Sequence, residues 1–231
     1  MGLSNKRKEE IAVKAKELQI EVYKKLKAAN PRQDPSPYRC LDPELICEHL
    51  GIRYESISEI GYERFTGGRM VGLMDRQAKK IVVAGGDPWP QMRFTAAHEI
   101  GHWVLHGDLT MHRDRPNIHG DIFNQNLSSE ELEANYFACY LLMPRRMIIK
   151  EFVKRFGPQP LEINDLSAHW LRPDSPDAVF RSSAYSLDLY IFAAGCHHFN
   201  HRSFKSIAEQ FDVSVSAMAR RLKELKLIKW P

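Results

Sequence analysis

The chain is poor in the features that mark several protein classes. It has only four cysteines, Cys40, Cys47, Cys139 and Cys196, and no two stand in a C-x-x-C spacing. That excludes a disulfide framework and is expected of reduced thiols in the cytoplasm. Uncharged apolar runs are short, and the one around Leu189–Cys196 falls far below the ~18 to 20 residues that span a bilayer. The charged start from Met1 to Glu10 does not read as a signal peptide. Internal repeats, low-complexity tracts and a glycine excess are missing as well. A net charge of +4 over 231 residues is too mild to imply nucleic acid by itself. The imbalance is local: from Arg202 to Pro231 there are seven basic and three acidic residues. What remains is an ordinary globular composition, 43% hydrophobic and 27% charged, enough for a sizeable core.

Hydrophobic periodicity organises the chain. Ile11, Ala15, Leu18, Val22, Leu26 and Ala29 recur at helical spacing, predicting one amphipathic helix over 6–29. Asp42-Pro43 opens a short helix that Gly51 closes. Ile52–Ile57, Gly68–Met74 and Lys80–Val83 are β-prone, the last two predicting a hairpin about Asp75–Lys79. A helix is expected after Asp87-Pro88, then an irregular polar loop over 107–126, then helices over Ser128–Leu142 and Met147–Phe156. Residues 157–181 give no clear pattern, Ser186–Gly195 is ambiguous, and Phe204–Leu227 reads as two helices around a turn.

The chemistry sits in His98-Glu99-Ile100-Gly101-His102, an H-E-x-x-H pattern. On a helix, residues four apart lie about 40° apart around the axis and ~6 Å along it. Both imidazoles can then reach one Zn²⁺, and Glu99 flanks them as a proton acceptor. Gly101 would let another element come close beside the ligands. A catalytic zinc needs a third protein ligand, for which Glu130, Glu131 and Glu133 are the choices. Glu131, Asn135 and Ala138 share one helical face, so Asn135 could hold a ligand and the small Ala138 leave room for packing. Spacing alone leaves Glu131 open, because Ser128-x-x-Glu131 is also a capping box. His106 is too far along the axis from His98 to be a third ligand and reads as structural.

Two blocks carry a family resemblance. One is Arg93-Phe94-Thr95-Ala96-Ala97 running into His98–His102 and on to Leu105-His106-Gly107. The other is Glu131-Leu132-Glu133-Ala134-Asn135-Tyr136-Phe137-Ala138 followed by Leu141-Leu142-Met143-Pro144. Together they resemble the ImmA/IrrE family of metallo-endopeptidases, over roughly residues 10–155 and the C-terminal helix pair. The resemblance implies an α+β fold with a zincin-like metalloprotease core and a small β-sheet, plus C-terminal helix-turn-helix-like helices. It implies Zn²⁺ held gluzincin-fashion by His98, His102 and Glu131, with Glu99 as general base. The target it implies is a protein, a helix-turn-helix transcriptional repressor whose cleavage relieves repression. The expected divisions are a metallopeptidase domain over 1–155, an insertion or connector over 156–200 and the helix-turn-helix-like segment over 201–231. The insertion is the departure, since about 55 residues, Arg145–Phe199, separate blocks that members join closely.

Peptide cleavage also needs a group facing the developing oxyanion, for which His112, His119 and Tyr136 are candidates. A hairpin edge near Gly68–Val83 could receive an extended substrate. In the tail, Ile207, Phe211, Val215, Met218 and Leu222 form the expected apolar seam, with Arg220, Arg221, Lys223 and Lys226 beside it. Nucleic-acid binding is possible there, but a solvated basic face is the favoured reading. Cys196, His197, His198 and His201 are a weak second metal candidate. The alternative function is a DNA-binding or repressor-sequestering regulator with a structural metal, against which Glu99 argues because a closed structural site has no use for it.

Overall fold

The computed structural model describes residues 3–58, 60, 69–114, 127–182 and 186–230. The chain folds as two compact units, Met1–Leu142 and Met143–Pro231. The expected boundaries at 155 and 200 do not coincide with that division. Within the described residues the fold is mixed α+β.

The first unit begins with α1 (Asn5–Ala29), whose N-terminus is capped by Ser4 and whose stripe of Ile11, Ala15, Leu18 and Val22 is buried as the periodicity predicts. A short 3-10 turn, Pro37–Leu41, leads to α2 (Pro43–Leu50). Asp42 caps α2 by accepting from the Glu44 N–H, and Gly51 ends it in the left-handed region at φ 70°. Four strands belong to this unit: β1 (Arg53–Ile57), β2 (Gly72–Asp75), β3 (Lys80–Ala84) and β4 (Met111–Asp114). The sheet order is β1-β3-β2-β4, with β1 parallel to β3 and the other pairs antiparallel. The predicted hairpin is present as β2–β3. It is not an edge, however, because each of its strands has a partner on both sides. Among the described residues β1 and β4 are the outer strands, so the hairpin itself is not the place for an extended substrate to dock. β4 lies inside the stretch expected to be an irregular loop.

Across the sheet lies α3 (Trp89–Leu105), buried on nearly every side from Met92 to His102. Arg76 fastens its C-terminal end: its guanidinium donates to the carbonyls of Trp103 (2.9 Å), His106 (3.2 Å) and Leu109 (3.0 Å). A cation there suits the negative end of the helix. Against α3 packs α4 (Ser129–Leu142), which also packs on α1. Gly101 makes this approach possible. A Cβ at that position would sit 3.0 Å from Ala134 Cα, 3.1 Å from the Ala134 carbonyl oxygen and 3.3 Å from Phe137 Cβ. Backbone atoms cannot swing aside. Gly101→Val is therefore expected to destabilise by about 1–3 kcal/mol and lower the thermal midpoint by several degrees. An unchanged midpoint would mean that the helices are not in close contact.

The second unit holds α5 (Arg145–Phe156), β5 (Leu161–Glu162), α6 (Asp165–Leu171), α7 (Pro176–Arg181), α8 (Asp188–Ala194), β6 (His198–Phe199), β7 (Arg202–Ser203), α9 (Ile207–Gln210), α10 (Val215–Glu224) and β8 (Ile228–Lys229). β5 pairs with β8 and β6 with β7. α10 packs on α8 and α9, burying Met218 and Leu222. Two expectations for this pair need correction. Val215 is 38% exposed rather than part of the seam. Arg221 is buried, paired with Glu224 at 2.6 Å and donating to the Met143 carbonyl, so it belongs to packing and not to a solvated basic face. Among the described residues, no helix is long and apolar enough to cross a membrane.

Candidate metal centre

Three elements of the first unit bring their polar side chains to one point. α3 contributes His98, Glu99 and His102, each at most 2% exposed. Its first turns bury Met92, Thr95, Ala96 and Ala97, and also Arg93, whose guanidinium donates to the Leu41 carbonyl, so the helix sinks into the core and carries the motif with it. α4 contributes Glu131, whose backbone N–H bonds to Ser128 Oγ at 3.3 Å while its carboxylate turns toward the histidines. The cap and ligand readings of this residue are thus compatible: the backbone serves the helix terminus and the side chain serves the site. β4 contributes His112.

His98 Nε2 and His102 Nε2 are 3.0 Å apart, and Glu131 oxygens lie 3.3 Å and 3.5 Å from them. Donors sharing one tetrahedral ion at ~2.0 to 2.1 Å stand about 3.3 Å from one another. With Oε2 facing His98 and Oε1 facing His102, the carboxylate closes the group of donors around a place where a single divalent cation could sit. His98 is aimed from behind by Asn135, as the shared helical face suggests: its Nδ1–H donates to Asn135 Oδ1 at 2.9 Å and leaves a lone pair on Nε2. Burial pushes His102 down to about 4, against the pull of Glu131, so its ring is neutral near pH 7. A neutral ring is the form that binds a metal.

His112 bridges the two carboxylates. Its Nδ1 is 3.1 Å from Glu99 Oε2 and its Nε2 is 2.7 Å from Glu131 Oε1, while its ring stacks on His102 at 3.7 Å between centroids. Burial works against its charge, but the hydrogen bonds to Glu131 and Glu99 outweigh that and raise it to about 10. Burial likewise opposes ionisation of Glu131, and the bonds from His102, His112 and His98 reverse this, holding it well below the usual carboxylate range. Among the described residues, His98, His102, His112 and Glu131 are the group whose donor atoms could enclose an ion, all within 4.8 Å of one another. The 2.7 Å contact is hydrogen-bond length and shorter than the spacing of two ligands on one ion. That length suits a hydrogen bond from His112 to Glu131.

The remaining sequence candidates fall elsewhere. Glu130 is exposed, and Glu133 turns to Arg7 and His106. Tyr136 lies about 140° around α4 from Glu131, beneath Lys8 and beside Tyr140. His119 lies outside the described residues. Cys196 donates to the His198 carbonyl, and His197 faces Glu209 at 3.6 Å, so the Cys/His group does not gather as a second metal site.

Residues 47–171 match the family described as the IrrE N-terminal-like domain, a peptidase family. That stretch is more than half of the chain and contains the entire His/Glu cluster. The chain belongs to this family. A stretch of 97 residues is also 33% identical to the radiation response metalloprotease IrrE of Deinococcus radiodurans, covering 42% of this chain and 28% of that protein. The IrrE-type stretch takes in α3 and α4, the elements that position the cluster. It leaves α1 outside.

Proposed function

We propose that this chain is a zinc-dependent endopeptidase with a zincin-like, gluzincin-type centre, acting in the cytoplasm on a protein substrate. The observation that carries the reading is the cluster of His98, His102 and Glu131 donors with a buried carboxylate, Glu99, joined to it through His112. In this reading His98, His102 and Glu131 hold Zn²⁺, and the mixed nitrogen and oxygen donor set suits that ion in a catalytic setting. When bound, the ion supplies Lewis-acid polarisation of the scissile carbonyl and an acidified water.

The chain's own residues do the rest. Glu99 takes the proton from the attacking water and passes it to the leaving amine nitrogen. Its carboxylate is fully buried and held by His112, so it has one orientation in which to do this. His112 donates to both carboxylates and places a protonated imidazole beside the carbonyl oxygen as that oxygen gains charge. His112→Ala is expected to lower kcat by about 100-fold or more while zinc content stays at one per chain. Loss of zinc in that variant would make His112 a ligand instead.

The substrate we propose is a helix-turn-helix transcriptional repressor, whose removal relieves repression. The test is incubation of the zinc-loaded chain with helix-turn-helix repressors from the same organism, with fragment masses read by mass spectrometry. One discrete cut that disappears with a chelator is expected. An intact repressor in the presence of stoichiometric zinc contradicts the substrate assignment.

A further inference from the structure

The metal-facing nitrogen of His98 is set by Asn135, whereas His102 leans on a second histidine. Its Nδ1 meets His106 Nδ1 at 3.1 Å. The far side of that ring continues the contact: His106 Nε2 is 3.1 Å from Glu133 Oε2. Glu133 is in turn clamped by Arg7, with Nε on Oε1 at 2.7 Å and Nη2 on Oε2 at 2.5 Å. Such a two-pronged charged pair is directional as well as strong. Arg7 lies near the start of α1, outside the residues that match the family.

The hydrogen positions follow from chemistry. Both Glu133 oxygens accept from Arg7, so the carboxylate is an acceptor and His106 donates to it through Nε2–H. With its Nε2–H committed to Glu133, the His106 ring turns Nδ1 to His102 as the acceptor of that contact. His102 must donate its Nδ1–H to that nitrogen, which leaves its own Nε2 bare toward His98 and Glu131. Without this chain the opposite arrangement is available, because His102 Nε2–H could donate to His98 Nε2 at 3.0 Å. That tautomer has no lone pair for an ion.

We infer that Arg7, Glu133 and His106 are a positioning relay that locks His102 in its metal-binding tautomer and ties metal affinity to the docking of the N-terminal helix. The inference rests on the metal-site reading above and deepens it by naming what controls that site. Outer partners of this kind commonly change metal affinity by about 10- to 100-fold.

The test uses the full chain. Zinc affinity is measured by chelator competition in the wild type, Arg7→Met, His106→Ala and His106→Asn. A long-range ¹H–¹⁵N spectrum of the metal-free wild type and Arg7→Met reads the histidine tautomers. Arg7→Met keeps the aliphatic stem and touches no ligand, yet it is expected to weaken zinc binding about 10-fold. His106→Ala is expected to weaken it by up to ~100-fold, and His106→Asn to recover part of the loss through an amide oxygen near the lost Nδ1. The metal-free wild type should show His102 as the Nδ1–H form and His106 as the Nε2–H form. Arg7→Met should add signal from the other His102 form. Unchanged zinc affinity and tautomers in Arg7→Met, with only a lower unfolding midpoint, would reduce the contact to a structural one and overturn the inference. A wild type that binds no zinc would remove the metal-site reading, while the tautomers would still decide the relay.

Discussion

Replacing Glu99 by glutamine is expected to abolish peptide-bond cleavage and leave the metal in place. The side chain is fully buried and lies between His98 and His102 in sequence, yet its carboxylate turns to His112. Glutamine has the same shape and can still accept from His112 Nδ1–H through its amide oxygen. It cannot take a proton from water. General acid–base groups contribute about 10²- to 10⁴-fold, so kcat should fall by at least two orders of magnitude. Zinc content by elemental analysis and the metal-free unfolding midpoint should stay near the wild-type values. Wild-type turnover in a zinc-loaded Glu99→Gln chain would remove Glu99 from the chemistry.

The second large effect is expected from Glu131→Ala, which strips the anionic donor from the cluster. Two imidazoles on adjacent turns do not by themselves retain a divalent ion against a chelator, so stoichiometric zinc should be lost. The same change leaves His112 with one carboxylate instead of two. Metal-linked stability discriminates between these consequences. At a thousandfold excess of zinc over its Kd, a bound site adds about 4 kcal/mol to the wild type, and that increment should vanish in the variant. The reading is direct: thermal unfolding with and without zinc, in both proteins. A variant that still gains stability from zinc would place the third donor on another residue.

Much of this site is legible in the sequence because its elements are local and periodic. His98 and His102 fall one turn apart on a helix whose apolar neighbours announce it. Asn135 falls one turn beyond Glu131, and the structure places it against His98. Gly101 predicts a close approach, and Ala134 and Phe137 make it. The ligand choice between Glu131 and Glu133 is not legible from spacing, because both stand on one turn of α4. What separates their side chains is Arg7, 126 residues from Glu133 in sequence. His112 is legible as a histidine of interest but not as a bridge. Its strand, Met-His-Arg-Asp, has four residues without apolar alternation and forms by pairing to β2. Pairing partners override composition in such strands. The short helices α6 and α7 escape for a related reason, having seven and six residues, too few for a period to show. Arg221 shows the converse error. Charge on an amphipathic helix suggests solvent, but the aliphatic stem packs and the guanidinium finds Glu224 and a carbonyl.

The central claim is that three side chains from two helices share one divalent ion. An anomalous difference map at the zinc edge, from crystals of the zinc-loaded chain, tests it most directly. The account predicts one strong peak bonded to His98 Nε2, His102 Nε2 and a Glu131 oxygen, with His112 hydrogen-bonded nearby but not coordinated. No peak among these residues, or a peak elsewhere in the chain, would contradict it.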